Sequence, residues 1–315
     1  MTQRTLVWFA LLAGTACAGN QPTPDAPTSL SSELARAATP APPAVQATEW
    51  WTAEKPCLDG AELKGALPPR GNAVWCEQGG QVHGTKTTFH ANGKLWRTER
   101  FYRGKLEGPF AAWHENGVLA EEGRHRQGLL EGRWVRHHAN GTRAAEGEYR
   151  SGKETGAFST FTQAGVRIDE IAYRQGKRHG ITRAFYESGG VREEVEYVEA
   201  IRHGVARTYY ASGAKRTTGR YDNDEQVGVW RSFRENGSPL EEVVFVGGQK
   251  DGPTTRWQRS GAKELEGSYK NDKKDGTFRY YDENNELTKT EEYRSGRLLR
   301  TRRYAGDKPK TVARR

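Results

Sequence analysis

Three histidines, His90, His114 and His138, stand 24 residues apart, and three imidazoles form one ligand set of a catalytic zinc site. The same spacing argues against a shared ion. If the flanking segments are strands, equivalent positions in successive hairpins lie two strands apart, roughly 9–10 Å. The expectation is a repeat position that happens to use histidine. Gly147-Glu148-Tyr149-Arg150-Ser151-Gly152-Lys153 nearly spells a phosphate-binding loop, but Glu154 stands where Ser or Thr must hold magnesium. The adjacent carboxylates Glu121-Glu122 and Glu193-Glu194 could exchange protons with a substrate only from one side, and neighbouring strand residues point to opposite faces. No G-x-S-x-G elbow, H-E-x-x-H or C-x-x-C is present. The chain is expected to be no enzyme and to carry no metal or cofactor.

The cysteines carry a different chemistry. Residues 1–17 read as an export signal: Arg4, an apolar run from Leu6 to Ala13, then Gly14-Thr15-Ala16. Leu12-Ala13-Gly14-Thr15-Ala16-Cys17 resembles a bacterial lipobox, which makes Cys17 the expected lipid attachment site, although Gly14 stands where that motif prefers Leu. Ordinary cleavage after Ala18 is the rival reading. Cys57 and Cys76 then remain as an even pair in an exported chain, and a disulfide is expected. Residues 18–48 are rich in Pro, Ala, Thr and Ser and have nothing to bury, as in a disordered tether.

The elements that position these residues follow from arithmetic. Gly84, Gly108, Gly132 and six further glycines up to Gly276 recur every 24 residues. A second series is Gly93, Gly117, Gly141, Gly165, Gly189, Gly213, Gly237 and Gly261, with Asn285 in ninth place. A third runs Gly104, Gly128, Gly152, Gly176, Ala200, Asp224, Gly248, Asp272 and Gly296. Nine units without an insertion indicate a stacked repeat architecture. Asn92-Gly93 and its equivalents read as two-residue type I′ hairpin turns, flanked by runs of strand length. In the second strand a small or β-branched residue precedes an aromatic by two, as in Gly147/Tyr149, Val195/Tyr197 and Gly219/Tyr221, so both share a face. First-strand aromatics fall three apart, at Phe110/Trp113, Phe158/Phe161 and Trp230/Phe233. Either a bulge intervenes or both faces carry aromatics.

Composition agrees with thin β-structure. Leu, Ile, Val and Phe number only 49 of 315 residues, against 37 Gly, too few aliphatics for the buried strands of an α/β enzyme. The net charge of +9 is concentrated: residues 297–315 hold eight basic groups against Asp307. A nucleic-acid groove needs positive charge along the body, so none is expected. Glu122, Glu146, Glu170, Glu194, Glu242 and Glu266 share one repeat position and suit a solvated face.

Units such as Gly108-Pro109-Phe110-Ala111-Ala112-Trp113-His114-Glu115-Asn116-Gly117 resemble the MORN-repeat variant family, whose units read G-x-W/F-x-x-F/Y-x-x-N-G. The resemblance covers about residues 84–299 and implies an all-β, elongated array of antiparallel hairpins. Relatives include antitoxin or immunity-like proteins and bacterial lipoproteins, and MORN repeats more broadly look like lipid- or protein-binding scaffolds, so the resemblance also implies a binding module. The expected organisation is therefore a signal peptide with lipobox (1–17), a tether (18–48), a disulfide-bonded cap (49–83), nine repeats (84–299) and a basic tail (300–315). The expected location is the cell envelope, lipid-anchored, with contact to the membrane through that anchor alone. Trp113, Phe161, Phe185, Tyr209, Phe233 and Trp257 form a candidate binding stripe for a protein partner or an envelope component, with packing between hairpins as the plainer use of such aromatics. Neutralisation of a cognate toxin is the alternative that the resemblance implies.

Overall fold

A computed structural model describes residues 49–57, 60–305 and 308–310. The expected signal, Cys17 and the tether lie outside the described residues. Those described form one antiparallel sheet of 25 strand segments with no α-helix, preceded by a 3-10 turn at Trp50–Thr52. Neighbours in sequence are neighbours in the sheet, from Glu62–Ala66 paired with Ala73–Gln78 to Arg297–Ala305 paired with Lys308–Lys310. The two outermost segments each pair on one side among the described residues, so the sheet is open. Its edges do not meet as in a barrel.

Two turn types alternate, and the structure corrects the turn chemistry expected at Asn-Gly. At Gly93 the amide donates to His90 O at 2.9 Å, and His90 N donates to Lys94 O at 2.8 Å. Only the glycine takes positive φ (81°). This is a three-residue loop closed by a left-handed residue, not a two-residue type I′ turn. Asn92 serves instead as a side-chain acceptor for Lys94 N at 3.0 Å. Asn285 holds the glycine position with φ 62°, a conformation Asn tolerates better than most residues. The two-residue turns with consecutive positive φ belong to the third series: Arg103 (48°) and Gly104 (75°) connect Tyr102, which pairs with Lys105. This type already occurs at Gly79-Gly80, between Ala73–Gln78 and Gln81–Phe89.

Aromatics lie on both faces of the first strands. Phe158, Ser159 and Thr160 pair in unbroken register with Ile171, Glu170 and Asp169, and Phe161 then pairs with Arg167. The irregularity skips Ile168 on the partner strand, so Phe158 and Phe161 remain an odd number of residues apart and point oppositely. One face, the core face, is built of ring contacts. Phe158 meets Tyr149 and Tyr173 edge-on, each at 5.3 Å between centroids. Phe278 repeats this with Tyr269 and Tyr293. Glycine makes room for each ring: a Cβ on Gly147 would meet Phe158 at 2.3 Å, on Gly219 Trp230 at 2.1 Å, and on Gly267 Phe278 at 2.6 Å. Where the ring is replaced by Ala206 or Thr254, its partner is Val195 or Val243, and all four are buried. Ring on glycine, or two medium or small side chains together, thus fills one layer with few aliphatics.

The first strands carry an extra cover. Trp51 packs edge-on against Phe89 at 5.6 Å, and Trp50 Nε1 donates to Thr87 Oγ1 at 2.9 Å. Cys57 and Cys76 form the expected disulfide, with Cα atoms 5.6 Å apart. At the other end, residues 300–305, read from sequence as the start of a tail, continue the strand Arg297–Ala305.

Candidate binding surface

The face opposite the core carries two periodic rows. The first is the aromatic stripe. Trp113, Phe161, Phe185, Tyr209, Phe233 and Trp257 are all half-buried. Phe89, His137 and Tyr281 occupy the same repeat position and complete the row. The Arg167 guanidinium lies between two stripe rings, 5.7 Å from the Phe161 centroid and 5.6 Å from that of Phe185, a cation–π arrangement. Tyr209 OH donates to Glu194 Oε2 at 2.9 Å and Tyr281 OH to Glu266 Oε1 at 2.7 Å.

The second row is an ion-pair ladder. In-register pairing places Glu170, Arg183, Glu194, Arg207, Thr218, Arg231 and Glu242 side by side on seven consecutive strands. Arg183 bridges Glu170 at 2.8 Å and Glu194 at 2.9 Å, while Arg231 holds Glu242 at 2.7 Å. The six members of the Glu row expected on a solvated face are thus half-buried, and Glu146, Glu170, Glu194, Glu242 and Glu266 lie within ion-pair distance of an arginine. Burial pushes the Glu194 carboxyl up, but hydrogen bonds from Arg183 and Tyr209 outweigh it and hold the group below its ordinary range. The charges of Arg183 and Arg207 act in the same direction. Burial and the bond to Glu266 push Tyr281 up to about 12. Glu121 and Glu122 point to opposite faces, and Glu121 accepts from Trp134 Nε1 and Arg97 on the core face.

The three histidines have a structural task. His90 Nε2 lies 2.8 Å from Trp113 O, His114 Nε2 2.9 Å from His137 O, and His138 Nε2 2.9 Å from Phe161 O. Each therefore staples its own turn to the next unit. The position tolerates other donors: Tyr186 and Tyr210 bond Tyr209 O and Phe233 O, Arg234 bonds Trp257 O, and Gln258 bonds Tyr281 O. Every carbonyl accepting such a staple belongs to a stripe position, so the row is held at its backbone and its rings are left half-exposed. Asn92, Asn116 and Asn140 add a parallel series, donating to Glu115 O, Ala139 O and Gln163 O. No group of His, Cys, Asp and Glu suited to a metal ion occurs among the described residues. Gly117, Gly141, Gly165, Gly189, Gly213, Gly237 and Gly261 share the loop position and positive φ of Gly93. The stripe's 24-residue period was legible in sequence. The staples were not, because donor and acceptor come from different units.

A model of the MORN repeat variant matches residues 82–102, 178–199 and 274–295. The three matches begin four repeat lengths apart. No curated protein matches the chain. Among solved structures, the crystal structure of TcdB2-TccC3 is 12% identical over 74% of this chain and 17% of that chain, with a TM-score of 0.19. The Photorhabdus luminescens Tc holotoxin pore is 12% identical over 78% and 14%, with a TM-score of 0.18. The chain spans less than a fifth of those proteins, and likeness at this level carries no argument about fold or function.

Proposed function

We propose that this sheet is a non-catalytic binding scaffold whose stripe-and-ladder face receives a protein partner or an envelope component. The observation that carries this reading is the chain's own use of that face. At the first unit, Trp51 seats edge-on against the stripe residue Phe89 and leaves it only 9% exposed. From Trp113 onward the same position is half-exposed in unit after unit, with charges held in register beside it. Aromatic anchors beside ordered arginine are the residue types that dominate binding energy at protein interfaces. On this reading the chain is exported by residues 1–17, lipid-anchored at Cys17 and held off the membrane by residues 18–48. Crosslinking and pull-down from intact cells tests it, comparing the native chain with Phe161→Ala/Phe185→Ala/Phe233→Ala. A partner lost only from the triple variant supports the face, whereas an unchanged capture profile overturns it. Capture of a toxin whose cell killing the chain suppresses would narrow the partner to that class. Mass spectrometry of the mature N-terminus tests the anchor, and an unmodified start at Gly19 would refute it.

A further inference from the structure

The ladder changes character at its C-terminal end. Arg279, Thr290 and Arg302 stand opposite one another on three adjacent strands. Thr290 occupies the repeat position that holds Glu in most other units. Beside this row, Glu292 pairs in register with Arg300, so Arg300 lies two residues from Arg302 on the same face. These side chains, with Tyr304, line an open groove of about 300 Å³. Thr290 Oγ1 and Tyr304 OH lie 3.5 Å apart.

The charges here are not balanced as they are upstream. Arg183 has two carboxylates within 3 Å, and Arg231 has one at 2.7 Å. Among the described residues Arg279 reaches one carboxylate, Glu266, at 3.8 Å. Among the described residues, neither Arg300 nor Arg302 has an acidic partner within ion-pair distance. Among the described residues, Glu292 is the one carboxylate that lines the groove. Thr218 provides an internal comparison: it also lies between two arginines, and both Arg207, 3.7 Å from Glu194, and Arg231, 2.7 Å from Glu242, have a glutamate on the far side, whereas beside Thr290 Arg279 has one and, among the described residues, Arg302 has none.

We propose that this groove is a binding site for a phosphate-type oxyanion, which supplies the negative charge that Thr290 leaves out of the ladder. Three guanidinium groups, Arg279 on one strand and Arg300 and Arg302 on another, flank Thr290 and present more planar N–H forks than one carboxylate can accept, and the hydroxyls of Thr290 and Tyr304 add neutral donors. A tetrahedral anion with several acceptor oxygens matches that set. The site goes beyond the partner-binding reading and does not rest on it.

Thermal stability and calorimetric titration of the full chain with inorganic phosphate, against chloride at matched ionic strength, test the proposal. A saturable stabilisation specific to phosphate is expected. Thr290→Glu restores the repeat's own carboxylate and should abolish phosphate binding while keeping the phosphate-free stability at or above the native level. Thr218→Glu, the same change at the internally balanced position, should leave binding intact. Arg300→Gln/Arg302→Gln should weaken it by about tenfold or more, the worth of one lost charge-assisted hydrogen bond. Equal responses to phosphate and chloride, or a Thr290→Glu variant that still binds phosphate, would overturn the site. Phosphatidylcholine vesicles with and without phosphatidic acid separate the sources. Sedimentation only with phosphatidic acid, sensitive to Thr290→Glu, identifies a lipid headgroup; phosphate binding without sedimentation identifies a soluble phosphate or phosphoester.

Discussion

Replacing Gly219 by alanine tests the packing rule of the core face. Gly219 has ordinary φ, so the substitution carries no backbone strain of its own. The new Cβ would lie 2.1 Å from Trp230 Cδ2, 2.3 Å from Cε2 and 2.6 Å from Cγ, distances no real contact allows. The indole must move, and it is held by Tyr221 at 5.2 Å, Phe245 at 6.2 Å and a bond from Nε1 to Arg220 O at 3.2 Å. Overpacking of this kind costs about 1–3 kcal/mol, and the strained indole bond adds about 1 kcal/mol. Against this, alanine in a strand gains about 0.5–1 kcal/mol over glycine. Gly219→Ala should therefore destabilise by about 1–3 kcal/mol. In a Trp230→Thr background, which reproduces the Thr254 and Val243 arrangement, the same change should stabilise by about 0.5–1 kcal/mol. The assay is equilibrium denaturation of all four chains by far-UV circular dichroism, with constancy of the m-value checked because repeat arrays lose cooperativity readily. The reversal of sign is the diagnostic. An equal effect of Gly219→Ala in both backgrounds would refute the large-to-small rule.

Ala200 sits at φ 73° in a two-residue turn where most units have glycine. Left-handed alanine costs roughly 1–2 kcal/mol and glycine returns some unfolded-state entropy, so Ala200→Gly should raise the denaturation midpoint, and a fall would contradict the turn assignment. Burial pushes the Glu291 carboxyl up, yet bonds from Lys289, Tyr280 and Tyr293 dominate and draw it down to about 2 from an ordinary 4.5. Its folded value is depressed, so its contribution is complete above 4.5 and lost as pH falls from there towards 2; Glu291→Gln should flatten that part of the stability profile. Reduction of Cys57–Cys76, or Cys57→Ser/Cys76→Ser, should cost about 3 kcal/mol and uncover Phe89, measured by proteolysis near Trp50 and Trp51. Removing one turn staple with His114→Ala should cost about 1 kcal/mol and speed amide exchange in the Trp113 and His137 turns, while unchanged exchange would deny the staple its role.

The 24-residue period was enough to determine the hairpins of residues 84–299 and the places where the chain reverses there, because identical spacing leaves each unit the same local options. The hairpin of Glu62–Ala66 and Ala73–Gln78, read from sequence as part of a cap, lay outside that period. Gly93 and its equivalents could be recognised as turn residues from composition alone, and Cys57 and Cys76 could be paired by count. Which turn each glycine makes was decided by the sheet. Arg103 and Gln127 accept positive φ that their side chains disfavour, since inter-strand pairing on both sides allows only a two-residue connection there. The spacing of Phe158 and Phe161 was visible from the start, but only the partner strand, with its extra residue at Ile168, settled that they face opposite ways. His90, His114 and His138 offered imidazoles at a fixed interval; their acceptors are carbonyls 23 residues away, reached only when one unit stacks on the next. The same holds for the arginines near the C-terminal end. Their excess of charge could be counted along the chain, but the absence of a facing carboxylate among the described residues emerges only when Thr290 is placed between Arg279 and Arg302. A repeat dictates what each unit contains, whereas contacts between units depend on register and bulges, which pairing energy alone selects.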